Sequence, residues 1–291
     1  MISINTNNGG LFAAKAASQS QAAIDSAMQR LSTGSRINNA RDDAAGQAIS
    51  TRLTAEIQGL EIASRNVADG QSLIDTAEGA LQETHTLLLR MREIGVQAAN
   101  GTLSSSDNEA LDAEFQQLVK EIDRIAQNTT WAGTSLLNGD ASGTVDSTVS
   151  LSFQAGVGNN SGNDVFSVTI KNADATTLDI FAANATTATD NDVNLLTQSS
   201  SQTAIGIVDT AIATVSGERA NLGAVSNRMS STMANLDQIR VNLTASQGRI
   251  QDADFAAETS NLAKGQILQQ AATAMLAQAN ASKQQVLTLI R

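Results

Sequence analysis

Apolar residues recur at every seventh position through two long parts of this 291-residue chain. Such a heptad repeat predicts a long α-helix that packs against a partner along one narrow seam. The first repeat lies within residues 42–100 and the second within residues 208–250, so two long helices are predicted far apart in sequence. The residues of this predicted rod seam are Leu53, Leu60, Val67, Ile74, Leu81, Leu88, Val208, Val215, Leu222, Met229, Leu236, Leu243 and Ile250.

A third, shorter helix is predicted between the two long ones. The polar segment LSSSDNE is typical of a capped helix start. After it, apolar residues follow alternating steps of four and three residues, at Leu111, Phe115, Leu118, Ile122 and Ile125. Three helices can share one narrow core. The predicted fold class is therefore mainly α, a long antiparallel helical rod or coiled-coil bundle with a small β-hairpin region.

The hairpin is predicted within residues 136–199. There Gly, Asn, Asp, Ser and Thr surround two short runs, VSLSFQAG and NDVFSVTIKN, in which apolar residues alternate with polar ones. Alternation with a period of two is typical of a strand that buries one face. The rest of this segment is predicted to be a polar loop.

Both ends of the chain carry weak amphipathic stripes. They are rich in Ala and Gln, and large apolar residues are sparse. Helices that bury so little are marginal alone, so we expect the ends to be loosely ordered in a lone chain and to become helical against neighbouring copies. The predicted terminal assembly stripe consists of Ile24, Met28, Leu31, Leu268, Met275, Val286 and Leu289.

Composition excludes several classes of function. There is no proline, which favours long uninterrupted helices, and no cysteine, which excludes disulfides and thiolate chemistry. The single histidine excludes multi-histidine metal sites, and no catalytic site, cofactor or metal is predicted. A net charge of -11 argues against nucleic-acid binding, because a negative protein repels the phosphate backbone. Neither a secretory signal nor a membrane-inserted segment is recognisable.

Several long motifs resemble one known family. Residues 31–50 (LSTGSRINNARDDAAGQAIS), 65–81 and 91–104 are similar to the amino-terminal region of bacterial flagellins, and residues 249–280 resemble their carboxyl-terminal region. The resemblance covers both ends and both long helices. It implies a structural subunit that assembles into the extracellular flagellar filament for motility, here a short form without large outer domains.

The resemblance also implies a domain organisation. Residues 1–42 with 252–291 would form terminal inner-tube helices, residues 43–135 with 200–251 a helical rod domain, and residues 136–199 its β-hairpin and polar loop. The turn containing Gly34, Asp42 and Asp43 would connect tube and rod as a hinge. A rod surface at Arg90, Ile94, Gln97 and Glu114 would contact other subunits and an innate receptor of the Toll-like class.

The implied partners are identical subunits in a helical homopolymer, a flagellar export chaperone, and the cap and hook-associated proteins. Export would use the flagellar type III apparatus. Two rival functions remain open at this point: a hook-filament junction protein, which shares helical termini, and a flagellin carrying a catalytic insert. A receptor-ligand or adhesin role could coexist with filament formation.

Overall fold

The structure, a computed structural model, describes residues 6–138, 148–160, 162, 164–180 and 193–288. Within these residues five helices account for most of the chain, and the prediction of a mainly α fold with a small β-hairpin region is confirmed. The elements are α1 (Asn8–Thr33), α2 (Ala44–Ala98), α3 (Ser105–Asn128), β1 (Thr130–Trp131), β2 (Thr134–Ser135), β3 (Thr148–Gln154), β4 (Val165–Lys171), α4 (Gln198–Gln251) and α5 (Phe255–Thr288).

The two long helices α2 and α4 contain 55 and 54 residues. Because the chain has no proline, every residue can donate its backbone N–H to the helical ladder. Contacts divide the chain into two compact units, the first formed by residues 1–58 and 240–291 and the second by residues 59–239. In the part of the chain that the structure describes, none of the helices combines the length and apolar character needed to span a membrane.

The core of the second unit is built on the rod seam. The seam residues from Leu60 to Leu88 and from Val208 to Leu236 are all buried. The helices run antiparallel, since Glu78 binds Arg219 at 2.7 Å while Arg92 binds Asp209 at 2.6 Å. Higher numbers on α2 therefore meet lower numbers on α4.

Helix α3 begins where the polar segment predicts. The Ser104 hydroxyl accepts a hydrogen bond from the Asp107 backbone N–H, and the Asp107 carboxylate accepts one from the Ser104 N–H, which completes a capping box. Hydrogen bonds to the Asp107 carboxylate, first from the Ser104 hydroxyl and then from the Ser104 backbone N–H, lower the pKa of this carboxyl. The helix buries an apolar face that contains Phe115, Val119, Ile122 and Ala126.

The hairpin of β3 and β4 is antiparallel, with Thr148 opposite Lys171 and Gln154 opposite Val165. Apolar residues of the two strands share one face, and Phe153 faces α2 at Gly70. A Cβ at Gly70 would lie 3.2 Å from the Phe153 ring, so the absence of a side chain there allows the close approach. A second, two-residue ladder between β1 and β2 was not predicted by the sequence. It turns at Ala132 and Gly133, which both have positive φ.

Candidate assembly surfaces

The first and last helices of the chain pack against each other in the first unit. Helix α1 runs antiparallel to α5 and forms with it what we call the terminal pair. Asn7 donates to Asn280 at 3.2 Å near one end of the pair, and Arg30 binds Glu258 at 2.8 Å near the other. The sequence predicts helices that form only against other copies. In the structure each terminal helix instead has a partner within its own chain.

Small residues make this pairing possible. The faces in contact bury mostly Gly, Ala and Ser at spacings of three, four and seven residues. Gly265 of α5 lies directly against Ile24 of α1, and a Cβ at this glycine would be 2.8 Å from Cγ1 of Ile24. The buried residues of the terminal pair are Gly10, Ala13, Ser20, Ile24 and Ala27 on α1, and Glu258, Gly265 and Ala272 on α5.

The large apolar side chains of the terminal pair are mostly turned to solvent. Phe12 is 76% exposed, Met28 is 53% exposed and Met275 is 64% exposed. The predicted terminal assembly stripe is therefore divided: Ile24 is buried, Leu31 is half-buried, and Met28, Leu268 and Met275 are exposed. The side chain of Val286 and all of Leu289 lie outside the described residues. The sequence did not single out the exposed Leu11, Phe12 and Ile267.

A groove follows one side of the terminal pair, with a volume of about 880 Å³. Its lining changes in character along its length. One end is apolar and is lined by Phe12 and Met275, and the apolar lining continues to Leu268 toward the middle. The other end is polar and contains Arg30, Glu258 and Lys264. We call this feature the terminal groove. Its apolar end suits a partner helix with an apolar face, and its charges can fix that helix in register.

The charged end of the terminal groove is held together by hydrogen bonds. The Arg30 guanidinium donates to Oε1 of Glu258, and Asn261 donates to Oε2 of the same carboxylate at 3.2 Å. The hydrogen bond from Arg30 is the main cause that lowers the pKa of the Glu258 carboxyl. Glu258 is therefore charged while the terminal pair is closed at neutral pH.

The predicted rod surface is only partly assembled in the structure. Arg90 binds Glu114 at 2.8 Å and Glu93 at 3.1 Å, and these hydrogen bonds raise the pKa of the Arg90 guanidinium. Gln97 is exposed on the same helix. Ile94, however, is 1% exposed and belongs to the core, so its assignment to the surface is corrected. It lies three residues after the buried Met91, which places it on the inner face of α2.

Two apolar residues that the sequence did not single out are exposed near the rod surface. Leu89 and Val96 are seven residues apart on α2 and both reach solvent. Their exposure could have been predicted from the heptad pattern, because both residues lie outside the seam and Leu89 directly follows the seam residue Leu88. An exposed apolar pair beside Arg90 and Gln97 provides contact area that a charged surface alone lacks.

The predicted hinge is a hydrogen-bonded turn within the first unit. Gly34 ends α1 with φ of 72°, a left-handed conformation that favours glycine. The Asp42 carboxylate accepts hydrogen bonds from the backbone N–H groups of Asn38 and Asn39, which lowers its pKa. Asp43 accepts the N–H of Gly46 at 2.8 Å. These bonds define one conformation of the turn, and its role as a hinge remains a prediction.

The rod seam changes character where it enters the first unit. Leu53, Leu243 and Ile250 are half-buried, whereas the seam residues of the second unit are buried. Polar contacts lie beside them: Gln247 donates to the Thr54 hydroxyl at 2.7 Å, and the Ser50 hydroxyl donates to Gln251 at 2.8 Å. No group of three or more histidine, aspartate and glutamate side chains among the described residues is placed to hold a metal ion.

Comparison with known proteins identifies a family at both ends of the chain. Residues 4–142 match the bacterial flagellin N-terminal helical region, and residues 205–290 match the bacterial flagellin C-terminal helical region. A flagellin of Halalkalibacterium halodurans is 45% identical over 265 residues, covering 91% of each chain. A flagellin of Bacillus subtilis is 42% identical over 305 residues, covering 99% of each chain.

Solved structures add a likeness in fold. The structure of a putative flagellar hook-associated protein from Vibrio parahaemolyticus superposes with a TM-score of 0.58. It covers 72% of this chain and 100% of that chain, at 15% sequence identity. At this identity the likeness concerns the fold alone. The much higher identity to flagellins over nearly the whole chain does not favour a hook-filament junction protein.

Proposed function

The chain belongs to the bacterial flagellin family and is a structural subunit of the flagellar filament, and we propose that the exposed side of its terminal pair is the surface that binds neighbouring copies. The observation that supports this proposal is the apolar part of the terminal groove. There Phe12, Leu268 and Met275 are exposed in the single chain, and a neighbouring copy that covers them would bury their apolar surface.

The occupant of the terminal groove is a second copy of this chain. A helical polymer uses heterologous contacts, in which one surface of a subunit meets a different surface of the next. Exposed apolar residues such as Leu11 and Ile267 lie on the same two helices but outside the groove, so the terminal pair carries more than one apolar face. One face of a copy can therefore fill the groove of its neighbour.

The size of the effect follows from the exposed side chains. Fully burying one large apolar side chain contributes about 1.5 to 3 kcal/mol, and since Phe12, Leu268 and Met275 are 76%, 49% and 64% exposed, they together offer roughly 3 to 6 kcal/mol per contact. Association entropy opposes this gain and exceeds it for a single weak contact. Each subunit inside a helical polymer has several neighbours, so contacts that are weak singly stabilise the polymer together.

We further infer that the rod surface of Arg90, Gln97 and Glu114, with Leu89 and Val96 beside it, is a second contact between subunits. The resemblance to flagellins also supports export through the flagellar type III apparatus to an extracellular filament. The same resemblance supports an export chaperone, cap and hook-associated proteins, and a Toll-like receptor as partners. The family is one of structural proteins, and no catalytic activity is proposed.

The proposal is tested by replacing Phe12 and Leu268 with glutamine in one variant. Phe12 is 76% and Leu268 49% exposed, so the helix content of the unassembled chain should not change by circular dichroism. Loss of the apolar area that the two side chains bury on assembly should raise the critical concentration for polymerisation at least about twentyfold, measured by sedimentation and electron microscopy. Leu196→Gln, an exposed leucine outside the terminal helices, is the matched control and should polymerise normally. Normal polymerisation of the double variant would refute the assignment of the groove.

A further inference from the structure

The methionines of this chain are divided sharply by their exposure. Met91 and Met229 are fully buried in the second unit, and Met233 is half-buried there. Met28 and Met275 are more than half exposed, and both lie on the terminal pair. The chain contains no cysteine, so methionine supplies its only sulfur atoms. The methionine residues most open to solvent among the described residues therefore lie on the proposed assembly surface.

The chemistry of an exposed thioether is well defined. The sulfur attacks the peroxide O–O bond of hydrogen peroxide, an S–O bond forms as the O–O bond breaks, and water is released. The sulfur is oxidised by two electrons and the peroxide is reduced by two. The product, methionine sulfoxide, is polar and chiral, and oxidised methionines disrupt apolar interfaces.

We propose that Met28 and Met275 are oxidation sites, and that their conversion to sulfoxides by a peroxide-class oxidant prevents an unassembled subunit from joining the polymer. This inference rests on the proposed function of the terminal pair. Met275 lines the apolar part of the terminal groove with Phe12 and Leu268, and burying a polar sulfoxide oxygen against these side chains would cost free energy. Met28 lies outside the groove on α1, so its oxidation acts on another face of the terminal pair.

The order of oxidation and assembly matters. Before assembly both methionine residues are exposed to solvent, and after assembly neighbouring copies cover them. Polymer formation therefore protects the same residues whose oxidation prevents it. A sulfoxide reductase can restore the thioether only while the subunit is unassembled, because only then is the side chain accessible.

The experiment treats the unassembled full-length chain with hydrogen peroxide and maps the sulfoxides by peptide mass spectrometry. Met28 and Met275 should oxidise first, while Met91 and Met229 stay reduced. The treated chain should then show a critical concentration for polymerisation raised at least about tenfold, since each polar sulfoxide removes one apolar contact. The Met28→Leu/Met275→Leu double variant is compared with its own untreated sample, and the same treatment should not raise its critical concentration. Met233→Leu is the matched control and should remain sensitive to peroxide.

A second measurement separates this inference from the function on which it rests. Assembled filaments are exposed to the same dose of peroxide, and Met28 and Met275 should oxidise several-fold more slowly than in the free chain. If both are protected but oxidised chains polymerise normally, the inference is wrong and the proposed surface stands. If both oxidise equally fast in filaments and free chains, the proposed surface itself is wrong. A double leucine variant that remains sensitive to peroxide would also overturn the inference.

Discussion

Replacing Gly265 with alanine tests whether close approach of two helices holds the terminal pair together. The added Cβ would lie 2.8 Å from Cγ1 of Ile24, closer than two carbon atoms pack. Ile24 is buried and β-branched, so its side chain has few alternative rotamers. Either Ile24 is strained or the helices separate slightly.

Two effects of opposite sign determine the outcome. Overpacking a close contact costs about 1 to 3 kcal/mol. Glycine to alanine in a helix contributes about 0.5 to 1 kcal/mol in the other direction. The central values of these two ranges leave a net destabilisation of the terminal pair of about 1.25 kcal/mol, with an upper bound of about 2.5 kcal/mol, and the central value is a rise of roughly eightfold in its opening equilibrium.

Hydrogen exchange of the α5 backbone amides in the unassembled chain measures this opening directly. The matched control is Gly217→Ala in α4, where an added Cβ meets nothing within 4 Å, so it should slow exchange around position 217. A combined Ile24→Ala and Gly265→Ala variant should lose less stability than the sum of the single changes, with a coupling of about 1 kcal/mol. If Gly265→Ala exchanges as slowly as the native chain, close packing at this glycine does not stabilise the pair.

Three further outcomes are expected. Because Arg30 lowers the pKa of Glu258 in the closed pair, this carboxylate stabilises the pair above its unfolded pKa, and the contribution is lost as the pH falls through the folded value. The opening equilibrium of α5, obtained from hydrogen exchange after division by the intrinsic exchange rate at each pH, should therefore rise from about pH 5 downward, and Glu258→Gln should flatten that response. Ser104→Ala removes the capping box and should cost about 1 kcal/mol in urea unfolding of the second unit, with Ser105→Ala, at an exposed neighbouring position, nearly neutral. Phe166→Leu removes the ring that lies 4.1 Å from the Arg228 guanidinium and should cost about 0.5 to 1 kcal/mol by the same measurement. An unchanged urea midpoint in either variant would contradict its prediction.

The rod could be predicted from the sequence because its signal is periodic and its residues are large. A strict seven-residue repeat without proline leaves a long helix as the simplest solution, and the buried seam from Leu60 to Leu88 follows it. The hairpin was predictable for a similar reason, since its apolar residues alternate. The ladder at Thr130–Trp131 was not, because two paired residues leave no periodic pattern.

The terminal pair was harder to predict, because the large apolar side chains were expected to be the buried ones. The amphipathic pattern predicts a stripe that includes Met28, Leu268 and Met275, but the residues buried between α1 and α5 are mostly small. Small side chains carry little hydrophobic signal, and their value lies in the close approach that they allow. The pairing of α1 with α5 could not be predicted either, because residues near 24 and 265 are far apart in the sequence and come into contact only in the folded chain. Ile94 was misplaced because its resemblance to a surface motif outweighed its position on the helix.

Small residues form the contact between α1 and α5, whereas large apolar residues of the same helices are exposed, and this arrangement favours assembly. If Phe12, Leu268 and Met275 faced inward, roughly 3 to 6 kcal/mol of additional burial would stabilise the single chain whatever its concentration. Because they face outward, the same burial is gained only when copies meet, and it then depends on concentration. The small-residue contact at Gly265 and Ile24 aligns the two helices without using these side chains. The subunit can thus hold a defined surface before assembly while most of the gain from burying it remains available to the polymer.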